Sequence, residues 1–292
     1  MDIVITYVDG NDPVWREDYE KYTRRPLLEK RFRDWGTLKY LMRGIEKNMP
    51  FVGKVYLVVS HESQVPSWVN RERLHIVLHR DFIPESLLPT FNCNPIETHF
   101  QNIPGLDEQF LYFNDDFFPV MPCRPEWFFA GDKVRIGMSA HILCLGMFRH
   151  ITRTSDRLAR KALNRKPSCV FMRPQHICTP MLKSEMNALY AQVGQEILAS
   201  QTMVREACNV NQYVFTNYLF YKGQVENSKL PKKHISLGAT SVDKVKKAIC
   251  TPDRALLCLN DVQMSSSKFE KLRNVILDSF ESRFPEKSSF EL

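Results

Sequence analysis

The chain has 292 residues, enough for one large domain with a buried core. Hydrophobic residues make up 43% and charged residues 25%, a balance that excludes a disordered or fibrous chain. A net charge of +7 suits anionic partners such as nucleotides, phosphorylated sugars or lipid headgroups, but is too weak to indicate a nucleic-acid-binding protein.

The first 113 residues follow the order of a mostly parallel sheet with helical connections. Apolar and β-branched runs predict strands over 2–8, 55–60, 74–78 and 109–113, and helical spacing of apolar residues predicts a helix over 37–48. The first strand ends in the turn sequence Asp9-Gly10-Asn11-Asp12-Pro13, and the last runs into Asn114-Asp115-Asp116.

The rest of the chain reads as more helical. Residues 151–167 are rich in Lys and Arg and predict a basic helix or mobile loop. We predict helices over 180–193 and 211–221, a strand over 256–259 and a C-terminal helix striped by Phe269, Leu272, Ile276, Phe280 and Phe284. The predicted fold class is α/β: a mostly parallel nucleotide-binding sheet flanked by helices, with a more helical C-terminal half. One domain spans 1–292, comprising a sheet part (1–130), a basic insertion (131–170) and a helical part (171–292).

Acidic residues follow two of the predicted strands. Asp115 and Asp116 suit a hard cation that bridges a diphosphate, because Mg²⁺ takes one or two protein carboxylates and fills its shell with phosphate oxygens and water. Asp9 and Asp12 follow the first strand, and parallel strands would bring both loops to the sheet edge where ligands of such folds bind. Each pair taken alone is equally consistent with an acidic turn.

Three further features bear on chemistry. His176, in a loop before a predicted helix, can act as a general base near neutral pH or can be structural. Arg205 can neutralise phosphate charge. Asn260 and Asp261 end an apolar strand and can complete a metal shell or cap a helix. The motifs of P-loop enzymes, dinucleotide-binding folds, α/β-hydrolases and zincins are absent. The acidic pairs, together with His176 and Arg205, indicate instead a metal-assisted enzyme that handles nucleotide-sugars or phosphate.

The ordered motifs resemble the Stealth family of sugar-phosphate transferases. That family includes bacterial capsular polysaccharide phosphotransferases and is related to the animal N-acetylglucosamine-1-phosphotransferase α/β subunit. The four matching blocks lie within 2–13, 33–116, 176–213 and 258–261. One departure is Asn209, which stands where we expect an acidic residue.

The resemblance implies transfer of hexose-1-phosphate from a UDP-sugar to a hydroxyl of a glycan acceptor, with release of UMP and formation of a phosphodiester in capsular or cell-surface polysaccharide. It implies a Mg²⁺ or Mn²⁺ cofactor held by Asp115, Asp116, Asn260 and Asp261. It implies three catalytic residues: Asp116 holds the metal ion against the diphosphate, Arg205 stabilises the charge that develops on the transferred phosphoryl group, and His176 takes the acceptor proton. Substrate contacts fall to Asp9, Gly10, Asp12, Asn92, Asn94, Glu97 and His99.

Two alternatives remain open at the level of sequence. A metal-dependent glycosyltransferase would use the same donor and release UDP. A non-catalytic module that binds glycan or membrane would use the basic segment 153–166 and the apolar C-terminal stripe, which equally suit a solvated helix face and core packing. With no export signal or membrane-spanning stretch in the sequence, we expect a cytoplasmic enzyme that can contact the inner membrane surface peripherally, with no nucleic-acid partner.

Overall fold

The computed structural model describes all 292 residues, with thirteen strands and eight α-helices. The strands are β1 (Asp2–Thr6), β2 (Val55–Val59), β3 (His75–Leu78), β4 (Gln109–Asn114), β5 (Phe117–Pro119), β6 (Phe129–Ala130), β7 (Lys133–Arg135), β8 (Met138–His141), β9 (Phe171–Pro174), β10 (Thr179–Leu182), β11 (Val225–Glu226), β12 (Lys232–Ser236) and β13 (Leu256–Asn260). The helices are α1 (Pro13–Thr23), α2 (Leu38–Asn48), α3 (Cys93–Glu97), α4 (Met147–Ala162), α5 (Lys183–Ser200), α6 (Tyr213–Lys222), α7 (Val242–Cys250) and α8 (Ser266–Arg283).

The central sheet has five strands in the order β10-β4-β1-β2-β3. Strands β1 to β4 are parallel, and only β10 at the edge is antiparallel. Thr6 pairs with both Val58 and Asn114, so β1, β2 and β4 end at one edge. The α/β class with a mostly parallel sheet and a more helical C-terminal half is therefore confirmed.

Helices cover both faces of this sheet, as expected for parallel strands that are apolar on both sides. Side chains alternate along β1: Ile3 and Ile5 pack in a core shared with α2, α7 and α8, while Val4 packs in a core shared with α5 and α6. Leu272, Ile276, Phe280 and Phe284 of the C-terminal stripe are buried, so that stripe is core packing.

A second sheet, ordered β12-β13-β5, positions another part of the functional region. Strand β5 begins immediately after Asp116, and Cys258 of β13 pairs with Phe117. The Leu259 amide donates to the Asp116 carbonyl oxygen over 2.9 Å. Asn260 and Asp261 therefore lie beside the acidic turn that ends β4.

The predicted helix over 180–193 is partly wrong. Residues Thr179–Leu182 form β10 instead, and α5 begins at Lys183 and continues, through a non-helical residue at Val193, to Ser200. Pro180 lacks an amide hydrogen, which an edge strand tolerates. Of the basic stretch, residues 151–162 are helical and residues 163–167 follow as a loop. Helix α4 buries Ile151, Ser155 and Ala159 and packs against α6. No helix has the length and apolar character needed to cross a bilayer.

Candidate active site

A cleft opens at the edge where β1, β2 and β4 end. It consists of two adjoining cavities of about 380 Å³ and 190 Å³. Their shared lining includes Tyr7, Arg31, Asn114, Asp115 and Arg205. The larger cavity extends toward Asp116, Asn260 and Asp261, and the smaller toward Ser60, His79 and Asn92. Parallel strands create this site because their carboxyl ends leave room for a ligand between diverging loops.

The acidic turn lies on the floor of the larger cavity. Burial raises the pKa of Asp116 to about 7, with a further contribution from Asp261. Burial, followed by repulsion from Asp116 and Asp34, raises the pKa of Asp115 well above its ordinary value. Oxygen Oδ1 of Asp116 is buried and has no hydrogen-bond partner. Carboxylates crowded in this way are poorly stabilised by the protein alone.

Asp261 completes the acidic group from the second sheet. Its Oδ2 accepts a hydrogen bond from Trp35 Nε1 over 3.1 Å and lies 3.7 Å from Arg33 Nη1. Its Oδ1 is buried without a partner, and burial raises the pKa of this carboxyl group. Asp116 and Asp261 thus each carry an unpartnered carboxylate oxygen, and Asp115 and Asn260 line the same cavity. Carboxylate and amide oxygens are ligands that a hard divalent cation prefers.

His176 approaches the acidic turn from the connection between β9 and β10. One ligand atom each from His176, Asp116 and Cys258 lie within 4.8 Å of one another, so these three side chains could also hold a metal ion. Burial, and next the charge of Lys232, lowers the pKa of His176 to about 4. The imidazole is therefore neutral at pH 7 and can accept a proton. It lines neither cavity and reaches the cleft through its proximity to Asp116.

Arg205 and Arg31 stand where the two cavities join. Arg205 Nη2 donates to Cys93 Sγ over 2.6 Å, and Arg31 Nη2 donates to Met147 Sδ over 3.8 Å. Burial raises the pKa of Cys93 to about 12, so the thiol stays protonated and does not neutralise Arg205. Desolvation, and then the charge of Arg205, lowers the pKa of Arg31. Two guanidinium groups that repel each other across a cleft form a site for an anion.

Asn92 and Asn94 donate hydrogen bonds to Asn209, in the loop that carries Arg205. Asn209 Oδ1 accepts hydrogen bonds from Asn92 Nδ2 over 2.9 Å and Asn94 Nδ2 over 3.3 Å, and Asn209 Nδ2 donates to the Ser200 carbonyl oxygen over 2.7 Å. Asn209 is fully buried. An acidic residue there could not donate to Ser200, which explains why an amide suits this position. Only Asn92 of the two lines the cleft.

Glu97 and His99 lie behind the cleft wall. Glu97 accepts hydrogen bonds from the Tyr112 hydroxyl over 3.3 Å and the Gln212 amide over 3.2 Å. His99 Nδ1 lies 2.6 Å from the Pro95 carbonyl oxygen and Nε2 lies 2.8 Å from the Tyr190 hydroxyl. Both side chains are buried, and neither lines the two cavities. The structure does not bring them to the cleft surface.

The loop after β1 lies beside the cleft. Asp12 Oδ1 caps α1 by accepting from the Trp15 amide over 2.7 Å. The Gly10 amide donates to the Phe32 carbonyl oxygen over 2.7 Å, and a Cβ at Gly10 would collide with Phe32. Asp9 and Gly10 line a neighbouring cavity of about 480 Å³ rather than the two that meet at Arg205.

Residues 30–35 form part of the cleft wall that our site prediction missed. Lys30, Arg31, Arg33, Asp34 and Trp35 line the larger cavity. Asp34 adds to the acidic group, and burial raises its pKa. The available signal was the sequence Lys-Arg-Phe-Arg-Asp-Trp at 30–35, which consists only of charged and aromatic residues and has neither a helical nor a strand period.

The sequence and the fold are both similar to those of known proteins. The profile of Stealth protein CR2, conserved region 2, matches residues 31–136. The chain is 31% identical to the capsular polysaccharide phosphotransferase WcwK of Streptococcus pneumoniae, over 100% of this chain and 99% of that protein. It is 28% identical to the exopolysaccharide phosphotransferase cps2G of Lactiplantibacillus plantarum, over 100% and 96%. A solved structure of the galactosyltransferase LgtC with donor and acceptor sugar analogs aligns with a TM-score of 0.45 at 12% identity, covering 95% of this chain and 96% of that one.

Proposed function

Because the chain belongs to the Stealth family of polysaccharide phosphotransferases, we propose that it transfers hexose-1-phosphate from a UDP-sugar to a hydroxyl of a glycan acceptor and releases UMP. The observation that carries this proposal is the juxtaposition in one cleft of crowded carboxylates (Asp115, Asp116 and Asp261) with two guanidinium groups that lack carboxylate partners (Arg31 and Arg205). Such a cleft suits a diphosphate and its counter-cation. Its product would be a phosphodiester link in a capsular or exopolysaccharide.

The reaction is a phosphoryl transfer. The acceptor oxygen bonds to the phosphorus that carries the hexose, the bond from that phosphorus to the bridging oxygen breaks, and UMP leaves with that oxygen. The acceptor proton passes to a ring nitrogen of His176, whose low pKa keeps it unprotonated before the reaction. The nearby Asp116 carboxylate then stabilises the imidazolium ion that forms.

Positioning and neutralisation of charge supply most of the acceleration in this chemistry. Arg205 and Arg31 would hold the diphosphate at the junction of the cavities. Asp115, Asp116, Asn260 and Asp261 would hold Mg²⁺ or Mn²⁺. When bound, the divalent ion supplies neutralisation of the charge that develops on the phosphate oxygens.

The two cavities suggest how the donor lies. The smaller one is lined by Trp15 and Phe91, whose rings suit a planar base, and by Ser60, whose buried hydroxyl has no hydrogen-bond partner. We assign the uracil to this cavity, where Asn92 provides an amide. The larger cavity then receives the hexose and the end of the glycan acceptor.

A nucleotide-release assay tests the proposal. The protein would be incubated with a panel of UDP-sugars, Mg²⁺ and glycan acceptors, and UMP and UDP would be resolved by chromatography. We expect UMP, formed only when both the divalent ion and the acceptor are present. An Arg205→Gln variant should lose roughly two to three orders of magnitude in rate, as for other donors that stabilise a charged transition state. UDP as the product would replace the proposal with an ordinary glycosyltransferase reaction.

A further inference from the structure

An apolar loop projects from the surface beside the active-site cleft. It comprises residues 142–147, between β8 and the first turn of α4. Ile142, Leu143, Leu145 and Met147 are 64%, 66%, 73% and 38% exposed, and they make up four of the eight large hydrophobic side chains that are exposed in the whole chain. Single exposed apolar residues are ordinary, but a contiguous group of this kind indicates an interaction surface.

The apolar loop forms part of the rim of the cleft. Met147 Sδ accepts from Arg31 Nη2 over 3.8 Å, and Arg31 lines both cavities. The next residue, Phe148, has its ring centroid 6.4 Å from that of His176. The loop therefore adjoins the cleft at Arg31, and the residue that follows it packs near His176.

Basic side chains lie next to the loop, and the adjoining stretch of chain carries no acidic residue. Residues 133–155 contain no Asp or Glu. Arg149 Nη1 donates to the Leu143 carbonyl oxygen over 3.2 Å, and the Arg173 guanidinium lies 5.3 Å from the Phe148 ring centroid. Arg153 and Arg157 follow on α4, and Arg157 is exposed. The apolar side chains of the loop suit the acyl chains of a bilayer, and the arginines next to it suit the anionic headgroups that lie above those chains.

We propose that the apolar loop inserts into the headgroup and upper acyl region of an anionic membrane, with Arg149, Arg153 and Arg157 binding the lipid phosphates. This attachment turns the cleft toward the bilayer, where the end of a lipid-linked glycan would reach the larger cavity. The attachment itself depends on the surface alone and not on the proposed reaction. A second copy of the chain is a poorer occupant, because contact between two identical loops would bring the same uncompensated arginines together.

Vesicle sedimentation tests the contribution of the apolar side chains to membrane binding. The purified chain would be mixed with vesicles of phosphatidylcholine and phosphatidylglycerol, and with phosphatidylcholine alone. Leu145→Ser should lower the partition coefficient for the anionic vesicles roughly tenfold, the effect of withdrawing one leucine side chain from an apolar phase. The matched control is Leu292→Ser, since Leu292 is 71% exposed but lies at the C-terminus. It should bind like the unmodified chain.

A second variant tests the contribution of the arginines to membrane binding. Arg157→Gln should weaken binding about fivefold and reduce its salt sensitivity, because each basic residue near an anionic surface contributes on the order of 1 kcal/mol. Lys246→Gln, on the exposed face of α7, is the control and should change nothing. Because Leu145 and Arg157 are exposed, thermal unfolding should be unchanged in both variants.

Three results would overturn the proposal: no binding to either kind of vesicle, equal binding by Leu145→Ser and the unmodified chain, or a concentration-dependent dimer that Leu145→Ser dissociates. Vesicle binding requires no UDP-sugar or acceptor. A failure of this proposal is therefore separable from a failure of the proposed phosphotransfer.

Discussion

At the scale of single residues, Asp116 connects the parts of the site. Its carboxylate lies within 4.8 Å of ligand atoms of His176 and Cys258, one of its oxygens has no partner, and it faces Asp261. The same side chain can therefore ligate a divalent ion and stabilise a protonated His176. Its burial disfavours the ionised form unless a cation is present.

We expect Asp116→Asn to abolish measurable phosphotransfer and to weaken Mg²⁺ binding by at least about tenfold, since a neutral amide is a poorer ligand for a hard cation. Isothermal titration with Mg²⁺ and the UMP-release assay measure the two effects. Asp243→Asn, on an exposed turn of α7, is the control and should retain both. Unchanged Mg²⁺ affinity in Asp116→Asn would remove this residue from the metal site.

The pH dependence separates the roles of His176 and Asp116. The pKa of His176 is lowered to about 4 and that of Asp116 is raised to about 7, so protons compete with the metal at Asp116 before His176 titrates. The acidic limb of kcat/KM should therefore move to lower pH as the Mg²⁺ concentration rises. A limb fixed near the ordinary histidine pKa at every Mg²⁺ concentration would contradict this assignment.

Replacement of His176, the proposed base, gives a separate measurement. His176→Gln should lower kcat roughly 10²- to 10⁴-fold, the usual contribution of a general base, while Mg²⁺ affinity measured by titration stays within about twofold. A loss of Mg²⁺ binding of the same size as the loss of activity would make His176 a metal ligand rather than the base.

At the scale of elements, one buried arginine joins α2 to the C-terminal segment. Arg43 makes two 2.8 Å hydrogen bonds to the Glu291 carboxylate and donates to the Phe284 carbonyl oxygen over 2.7 Å. Arg43 and Glu291 are 6% and 4% exposed, so each is the charge partner that the other requires. This pair holds the end of α8 against the helix that precedes β2.

We expect Arg43→Met to lower the free energy of unfolding by about 3–5 kcal/mol, because it leaves the Glu291 charge buried and unpaired. Glu281→Gln is the matched control: Glu281 also contacts Arg43, at 3.3 Å, but is 50% exposed, so its loss should cost less than about 1 kcal/mol. Denaturant unfolding measures both. Equal effects of the two variants would show that burial of the Glu291 pair does not dominate.

At the scale of the whole molecule, the buried carboxylates of the cleft lower the stability of the folded chain when they are ionised. The raised pKa values of Asp34, Asp115, Asp116 and Asp261 mean that the folded chain binds more protons than the unfolded chain at these groups. Their contribution to stability is therefore present at low pH and is lost as pH rises toward the folded-state pKa values. The proposed divalent cation, when bound, would offset this loss.

Without metal, Asp116→Asn should therefore be more stable than the unmodified chain at pH 8, and the difference should shrink as the pH falls from 7 toward the ordinary carboxyl value. Mg²⁺ should raise the Tm of the unmodified chain more at pH 8 than at pH 5. Thermal unfolding measures both effects. A destabilised Asp116→Asn variant at pH 8 without metal would show that this carboxylate is not a source of repulsion.

Local patterns carried much of the fold and part of the site. The β-branched run at β1 and the apolar periodicity of α2 predict their elements directly, because the spacing of apolar residues within each element shows which of its faces is buried. The acidic turn after β4 and the Asn260-Asp261 pair could be expected at a strand edge for the same reason. The part of the cleft formed by the ends of β1 and β4 could also be predicted, because the carboxyl ends of parallel strands lie at one edge of a sheet.

Contacts between distant segments could not be obtained in this way. Asp116 and Cys258 meet although they are 142 positions apart, and the prediction of a helix from Pro180 failed because pairing with β4 decided that segment. Likewise, the inward position of His99, the cleft wall at residues 30–35 and the exposed apolar loop depend on how whole elements pack. The sequence by itself determined the elements and their chemistry. The tertiary structure decided which side chains share a cavity, because that depends on packing among all elements at once.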